Sequence, residues 1–252
     1  MDLGGPDDCP DLEGLRGHIG DCRRCHLAET RNRLVFGVGD PRVRLLFVGE
    51  APGKNEDLTG EPFVGAAGRL LDELLGSIGY DRSQVYIANV LKCRPPGNRD
   101  PLPDEIRACT PFLKRQIELI DPVVVATLGT FATQYVLDTT APISALRGRL
   151  YHVGARRVVP VFHPAAALYD RSKRSVLFDD FRRLKAVIDA RGEAAEPRER
   201  DAAGLAGPGP LGHTGIRRED ARSVAPPSEE IVVGSTGVAA GTEHVDDRPH
   251  LF

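Results

Sequence analysis

Short apolar runs alternate with amphipathic stretches along this chain, and the run at residues 45–48, LLFV, is its first strong strand. It empties into a loop rich in Gly, Pro and carboxylates. From about Gly65 the spacing of Leu70, Leu71, Leu74 and Leu75 predicts a helix with one apolar face. A second strand is expected at residues 84–91, QVYIANVL, ending in a basic loop with two prolines. A helix should open at Pro103-Asp104-Glu105 and stop at Asp121-Pro122, before a strand at 123–128 that is apolar but for Thr127. Gly129-Thr130 starts a helix to about Leu137, a short strand lies near Tyr151, and the last core strand spans 157–162. Arg171, Lys173 and Arg174 then precede a final amphipathic helix carrying Val176, Leu177, Phe181, Leu184 and Ile188. Residues 12–20 read as a short helix ahead of all this. Strands alternating with helices predict an α/β fold, a three-layer α/β/α domain around a central, mainly parallel four-stranded sheet.

The pattern stops near Gly192. Beyond it Ala, Gly, Pro, Glu and Arg dominate without apolar periodicity, so we expect a folded domain over 1–190 and a disordered tail over 191–252. Hydrophobic residues make up 41% of the chain, enough for a substantial core in the folded part. The net charge of −3 argues against a generic nucleic-acid binder, but the tail holds 7 Arg against 11 Asp/Glu, which leaves the rest at +1 and free to carry a local basic face. No apolar run approaches the ~20 residues of a membrane span. The acidic start, MDLGGPDDCPD, lacks the basic and apolar regions of a signal peptide, so a cytoplasmic protein is expected.

Chemistry is expected at the loop after the first strand. Its glycines and Pro52 allow close approach of backbone N–H groups, as at Gly49 and Ala51, while Glu50 and Glu56 add two carboxylates. Walker A spacing is absent: Gly49 to Gly53 is one step short, and Lys54 is followed by Asn55. Glu50, Asn89 and His163 each fall at or near the carboxyl end of a different expected strand, and ligands of open α/β sheets bind at that edge.

Five cysteines in a reducing compartment are ligands or core residues rather than disulfides. Cys22 and Cys25 have chelating spacing, and with Cys93 and Cys109 they supply four thiolates, enough for tetrahedral zinc or an iron–sulfur cluster. Spacing does not choose between the two, and Cys9 is left over.

Six blocks in order, C-R-R-C, V-G-E-A-P-G-K-N-E-D, G-E-P-F-V-G-A-A-G-R-L-L-D, I-A-N-V-L-K-C-R-P-P-G-N-R, P-D-E-I-R-A-C and F-H-P-A-A-A-L, resemble the family 4, iron–sulfur uracil-DNA glycosylases over residues 10–190. The resemblance implies hydrolysis of the N-glycosidic bond of uracil flipped out of DNA, as the first step of base excision repair. It implies a structural [4Fe–4S] cluster on Cys22, Cys25, Cys93 and Cys109. Carried over by motif position, Glu50 handles the attacking water, Phe63 stacks on the base, Asn89 reads its edge and His163 lies against O2, with Gly49 and Ala51 beside them. Glu56 would fill the space at C5 and exclude the methyl group of thymine. Arg171, Lys173 and Arg174 resemble the loop that enters DNA near the extruded base.

Other readings remain at this stage. A zinc nucleobase deaminase needs H-x-E before P-C-x-x-C, and here C-x-x-C comes first without H-x-E. A metal-stapled module that binds uracil without cutting keeps Asn89 and Phe63 and makes Glu50 and His163 incidental. A covalently trapping relative carries an inserted basic loop with a reactive His, which the stretch from Cys93 to Glu105 lacks. The terminal Leu251-Phe252 is similar to bacterial sliding-clamp-binding peptides, with a plain solubilising tail as the alternative. A monomer working on DNA at the nucleoid is expected.

Overall fold

The computed structural model describes residues 4–190 and 231–232. Its strands are β1 (Val38–Gly39), β2 (Leu45–Gly49), β3 (Tyr86–Asn89), β4 (Val124–Leu128), β5 (Tyr151–Val153), β6 (Arg156–Val161) and β7 (Ile231–Val232). The helices are α1 (Leu12–Ile19), α2 (Lys54–Thr59), α3 (Ala66–Ser77), α4 (Pro103–Ile120), α5 (Gly129–Leu137), α6 (Ile143–Leu146), α7 (Ala166–Tyr169) and α8 (Ser172–Asp189).

The sheet runs in the order β1-β3-β2-β4-β6-β5-β7. Its central four strands, β3, β2, β4 and β6, are all parallel, as the sequence pattern predicts. The sheet as a whole is wider and mixed. β1 pairs antiparallel with β3, and β5 pairs antiparallel with β6, which corrects the four-stranded expectation. β5 is the short strand expected near Tyr151, while β1, with two residues, is too short to leave a period in the sequence. β7 pairs parallel with β5 and is the one described piece of the expected tail; the rest of residues 191–252 lies outside the described residues.

Side chains of β2 alternate between the two faces, as strand geometry requires. Leu45 and Phe47 pack with Leu70, Leu71, Leu74 and Leu75 of α3 and with Leu177, Phe181 and Leu184 of α8. Leu46 and Val48 pack on the other side with Leu113 and Ile117 of α4 and Ala132 and Val136 of α5. Covered on both faces, β2 is buried throughout, which is why it reads as an unbroken apolar run. The chain leaves β2 toward β3 on one side and later returns to β4 on the other, so a crevice opens beyond the carboxyl ends of these strands.

Two local features differ from expectation. The loop after β2 contains a short helix, α2, whose six polar-rich residues carry no helical stripe. Lys173 and Arg174 lie inside the first turn of α8 rather than before it, because Asp170 Oδ1 accepts from Ser172 N at 3.0 Å and from Ser172 Oγ at 2.6 Å and starts the helix there.

Candidate active site

A cavity of about 290 Å³ sits in that crevice, lined by Glu50, Ala51, Glu56, Phe63, Asn89 and His163, with Asn98 and Arg99 at its edge. The register explains the convergence. Gly49 lies directly opposite Asn89, and beyond them Val90 N donates to Gly49 O and Leu91 N to Glu50 O, each at 2.9 Å. The two strand ends are thus laced together past the last ladder pair, which fixes Glu50 beside Asn89.

Asn89 is 2% exposed, and its Oδ1 has no hydrogen-bond partner among the described residues. An unpaired buried amide oxygen costs on the order of 1–3 kcal/mol until a donor arrives. A side chain on Gly49 would not fit here, since its Cβ would stand 2.3 Å from Asn89 Oδ1 and 2.9 Å from the Phe63 ring.

Phe63 has a positive φ of 55°, rare for an aromatic residue. Arg82 holds that conformation by donating from Nη2 to Phe63 O at 2.6 Å and to Pro62 O at 3.1 Å, with Asp72 2.8 Å from its Nε. Gly68 admits the Phe63 carbonyl closely, for a Cβ there would lie 1.7 Å from it. The ring consequently lies against His163, with centroids 5.4 Å apart and planes 27° from parallel.

His163 Nδ1 accepts from Ala165 N at 3.1 Å, so a neutral ring carries its proton on Nε2. Burial, only partly opposed by the Glu56 carboxylate, lowers its pKa to about 4. The imidazole is therefore neutral near pH 7. Glu50 is shifted the other way: burial, and then the like charge of Asp100, raise its carboxyl to about 7.

Glu56 Oε1 accepts from Val64 N at 3.0 Å and Gly65 N at 2.9 Å, at the start of α3. Much of this carboxylate's bonding is thus directed to the loop that carries Phe63. At the cavity's edge Arg99 reaches the buried Glu105 at 2.5 and 3.0 Å. Burial opposes ionisation of Glu105, but Arg99 and the Leu102 N–H outweigh it and hold the carboxyl low.

The cysteines form a second centre beside the cavity. Cys25, Cys93 and Cys109 pack with Leu27, Leu91 and Ile106, and Ala51 belongs both to this nest and to the cavity wall. Cys22 packs against the neighbouring cluster around α1. Three sulfurs receive donors: Arg24 Nη1 to Cys22 and Arg31 Nη1 to Cys93, each at 3.5 Å, and Lys92 N to Cys109 at 3.3 Å. Burial raises Cys93 to about 11 and Cys109 to about 12, with neighbouring thiols adding to both. No three His, Cys, Asp or Glu groups are drawn around a single-ion position among the described residues. Cys9 is buried in the α1 cluster, apart from this nest.

The three basic residues do not line the cavity but lie at the start of α8. Lys173 lies 3.7 Å from Asp170, Arg174 pairs with Glu73, and Arg171 is exposed. Just before them Leu168 is 49% and Tyr169 92% exposed, an apolar pair that the sequence pattern does not single out. Arg82 and Lys92 are likewise missed. Arg82 reaches back to Pro62 and Phe63, and Lys92 turns inward onto Asn89 O and the distant Gln116, burial that nothing in the local sequence marks.

Fold and site together place the chain in a known class. A model described as the Uracil DNA glycosylase superfamily matches residues 36–185. Among curated proteins, a type-4 uracil-DNA glycosylase of Archaeoglobus fulgidus is 46% identical over 181 residues, covering 69% of this chain and 91% of that protein. Type-4 uracil-DNA glycosylases of Sulfurisphaera tokodaii and Saccharolobus solfataricus are 44% and 43% identical, covering 69% and 71% of this chain and 83% and 88% of theirs. The chain belongs to the uracil DNA glycosylase superfamily, and within it to the type-4 uracil-DNA glycosylases.

Proposed function

We propose that Glu50, Phe63, Asn89 and His163 are the residues with which this uracil-DNA glycosylase excises uracil from DNA. The enzyme hydrolyses the N-glycosidic bond and leaves an abasic site for repair. The observation that carries the assignment of roles is the unpaired Oδ1 of Asn89, facing a cavity bounded by a stacking ring, a neutral imidazole and a half-neutralised carboxylate.

A base inside a duplex cannot reach such a cavity, so the nucleotide is flipped out of the stack. Phe63 stacks on the extruded ring. Asn89 Oδ1 accepts from uracil N3–H while its amide donates to O4. Cytosine presents the opposite polarity at both positions and would leave the amide unpaired. Gly49 and Ala51 let the backbone close on the base, and Glu56 stands where the methyl group of thymine would intrude.

Bond cleavage builds positive charge on the sugar and negative charge on the base. His163 donates from Nε2 to O2 as a neutral imidazole and spreads the anion's charge without giving up its proton. Glu50, when ionised, accepts a proton from water directed at C1′ and favours the cationic sugar. Arg171, Lys173 and Arg174 face the DNA backbone, which makes binding salt-dependent.

Cys22, Cys25, Cys93 and Cys109 would hold a [4Fe–4S] cluster. The donor set fits: four thiols in and beside an apolar nest, with N–H donors on three of the sulfurs. When bound, such a group supplies a covalent cross-link between the segment after α1, the loop after β3 and α4. No step of the reaction passes through it.

Residues 1–190 then act as a monomeric catalytic domain, with a sliding clamp proposed as the partner of Leu251-Phe252, which lies outside the described residues. No helix among the described residues is long and apolar enough to cross a membrane. We assign the enzyme to the cytoplasm, at the nucleoid. Deleting residues 246–252 should weaken clamp affinity; an unchanged affinity removes that partner. The roles are tested by uracil release from a uracil-containing oligonucleotide by anaerobically purified protein. Release by the wild type that is lost in Glu50→Gln and His163→Ala, with DNA binding retained, is expected. Full activity in either variant refutes its role.

A further inference from the structure

Lysine is among the residues least often fully buried, yet Lys92 is 0% exposed. Its Nζ donates to Asn89 O at 2.7 Å and to Gln116 Oε1 at 2.6 Å. The Gln116 amide is oriented for this, since its Nε2 donates to Phe36 O at 2.8 Å and leaves its oxygen to face the lysine. Gln116 lies on α4, the helix that also carries Cys109. The main chain of Lys92 is held as firmly, with its N–H on Cys109 Sγ at 3.3 Å and its carbonyl accepting from Val35 N at 2.8 Å.

The sheet explains why Asn89 needs such a partner. Val90 N turns to β2, where it meets Gly49 O, so the carbonyl of the preceding Asn89 points to the opposite side, toward β1. But β1 begins at Val38, opposite Ile87, and does not extend to Asn89. Lys92 Nζ takes the place of the missing strand. Both protonation states of an amine carry the two N–H donors that this geometry uses.

We infer that Lys92 is a positioning residue for uracil recognition: it anchors the main chain of Asn89 to α4 and so fixes where the amide of Asn89 meets the base. This rests on the role proposed above for Asn89. Tolerance there is small, because a methyl group on Gly49 would already collide with Asn89 Oδ1. Without the amine, Asn89 O and Gln116 Oε1 face each other's dry surroundings unpaired, and the end of β3 can relax.

The test uses the full-length, cluster-loaded enzyme and two oligonucleotides of one sequence. One carries an uncleavable 2′-fluorinated deoxyuridine and the other an abasic-site analogue. Lys92→Met should shift the ratio of the two affinities about ten-fold against uracil, and lower kcat for uracil release by a similar factor, while iron content stays at the wild-type level. If Lys92→Met does not fold, Gln116→Leu, which removes the second anchor of the amine, should shift the same ratio by a smaller factor. An unchanged ratio, or affinities for both oligonucleotides falling together with iron, overturns the inference. A wild type that releases no uracil from a cleavable oligonucleotide refutes the reading of Asn89 and the site, not the contact of Lys92.

Discussion

The uracil cavity and the cysteine nest share Ala51 as a common wall but treat their polar groups in opposite ways. In the nest, donors already reach three of the four sulfurs of Cys22, Cys25, Cys93 and Cys109, from Arg24, Arg31 and the Lys92 backbone. In the cavity, by contrast, Asn89 Oδ1 is unpaired and Phe63 has a left-handed backbone. A site for a ligand that comes and goes keeps its bonding capacity and some strain in reserve. A site built around a permanent group surrounds it with satisfied donors. On the function proposed above, the nest is a staple for the segments that frame the cavity, and the chemistry belongs to the cavity.

Breaking the cavity should therefore leave the nest intact. Glu50→Gln and His163→Ala are each expected to reduce kcat by ~10²–10⁴-fold, with iron content at the wild-type level and no loss of the folded state. Single-turnover release and iron analysis on the same preparations check this. Breaking the nest should do the reverse at the outset: Cys109→Ser loses iron and lowers the melting temperature by roughly 10 °C, on the order of 3 kcal/mol for a domain of this size. Calorimetry reads that loss directly, and the fall in activity should follow the fraction unfolded.

The pH response sharpens the contrast, because it belongs to the cavity. Glu50 must be ionised to handle water, so activity should rise with pH through about 7. His163 is neutral above about 4 and adds no inflection near neutrality. For stability the sign is opposite. A carboxyl raised from 4.5 in the unfolded chain to about 7 in the folded one contributes fully below 4.5, and that contribution is lost as pH rises through 7. Glu50→Gln should hence gain stability over wild type at pH 8, by on the order of 2 kcal/mol, and not at pH 4. Denaturant melts at the two pH values measure the difference. The smallest effect is expected at the exposed rim, where Arg171→Ala should weaken DNA binding several-fold and lower its salt slope by about 1.

Much of this was legible in the sequence. The buried runs of β2, β3, β4 and β6 announce a covered parallel sheet, and Glu50, Asn89 and His163 follow from the carboxyl ends of three of them. β1 and α2 escaped, being too short for a period to register, whereas β5 is the short strand expected near Tyr151. Glu56 was legible as a cavity residue, but its two backbone bonds at the start of α3 depend on a turn the sequence does not spell out. Arg82 and Lys92 were invisible for a different reason. Long cationic side chains usually lie in water, and only the fold reveals that one clasps the Phe63 carbonyl and the other the Asn89 carbonyl.

The most direct test of the central claim compares release of uracil, cytosine and thymine from otherwise identical oligonucleotides by the wild type and by Asn89→Ala. The account predicts release of uracil alone by the wild type, and a fall of ~10²-fold or more on truncation of Asn89 with the iron-loaded fold intact. Equal rates for uracil in the two proteins would contradict it, because the unpaired amide of Asn89 would then not be what reads the base.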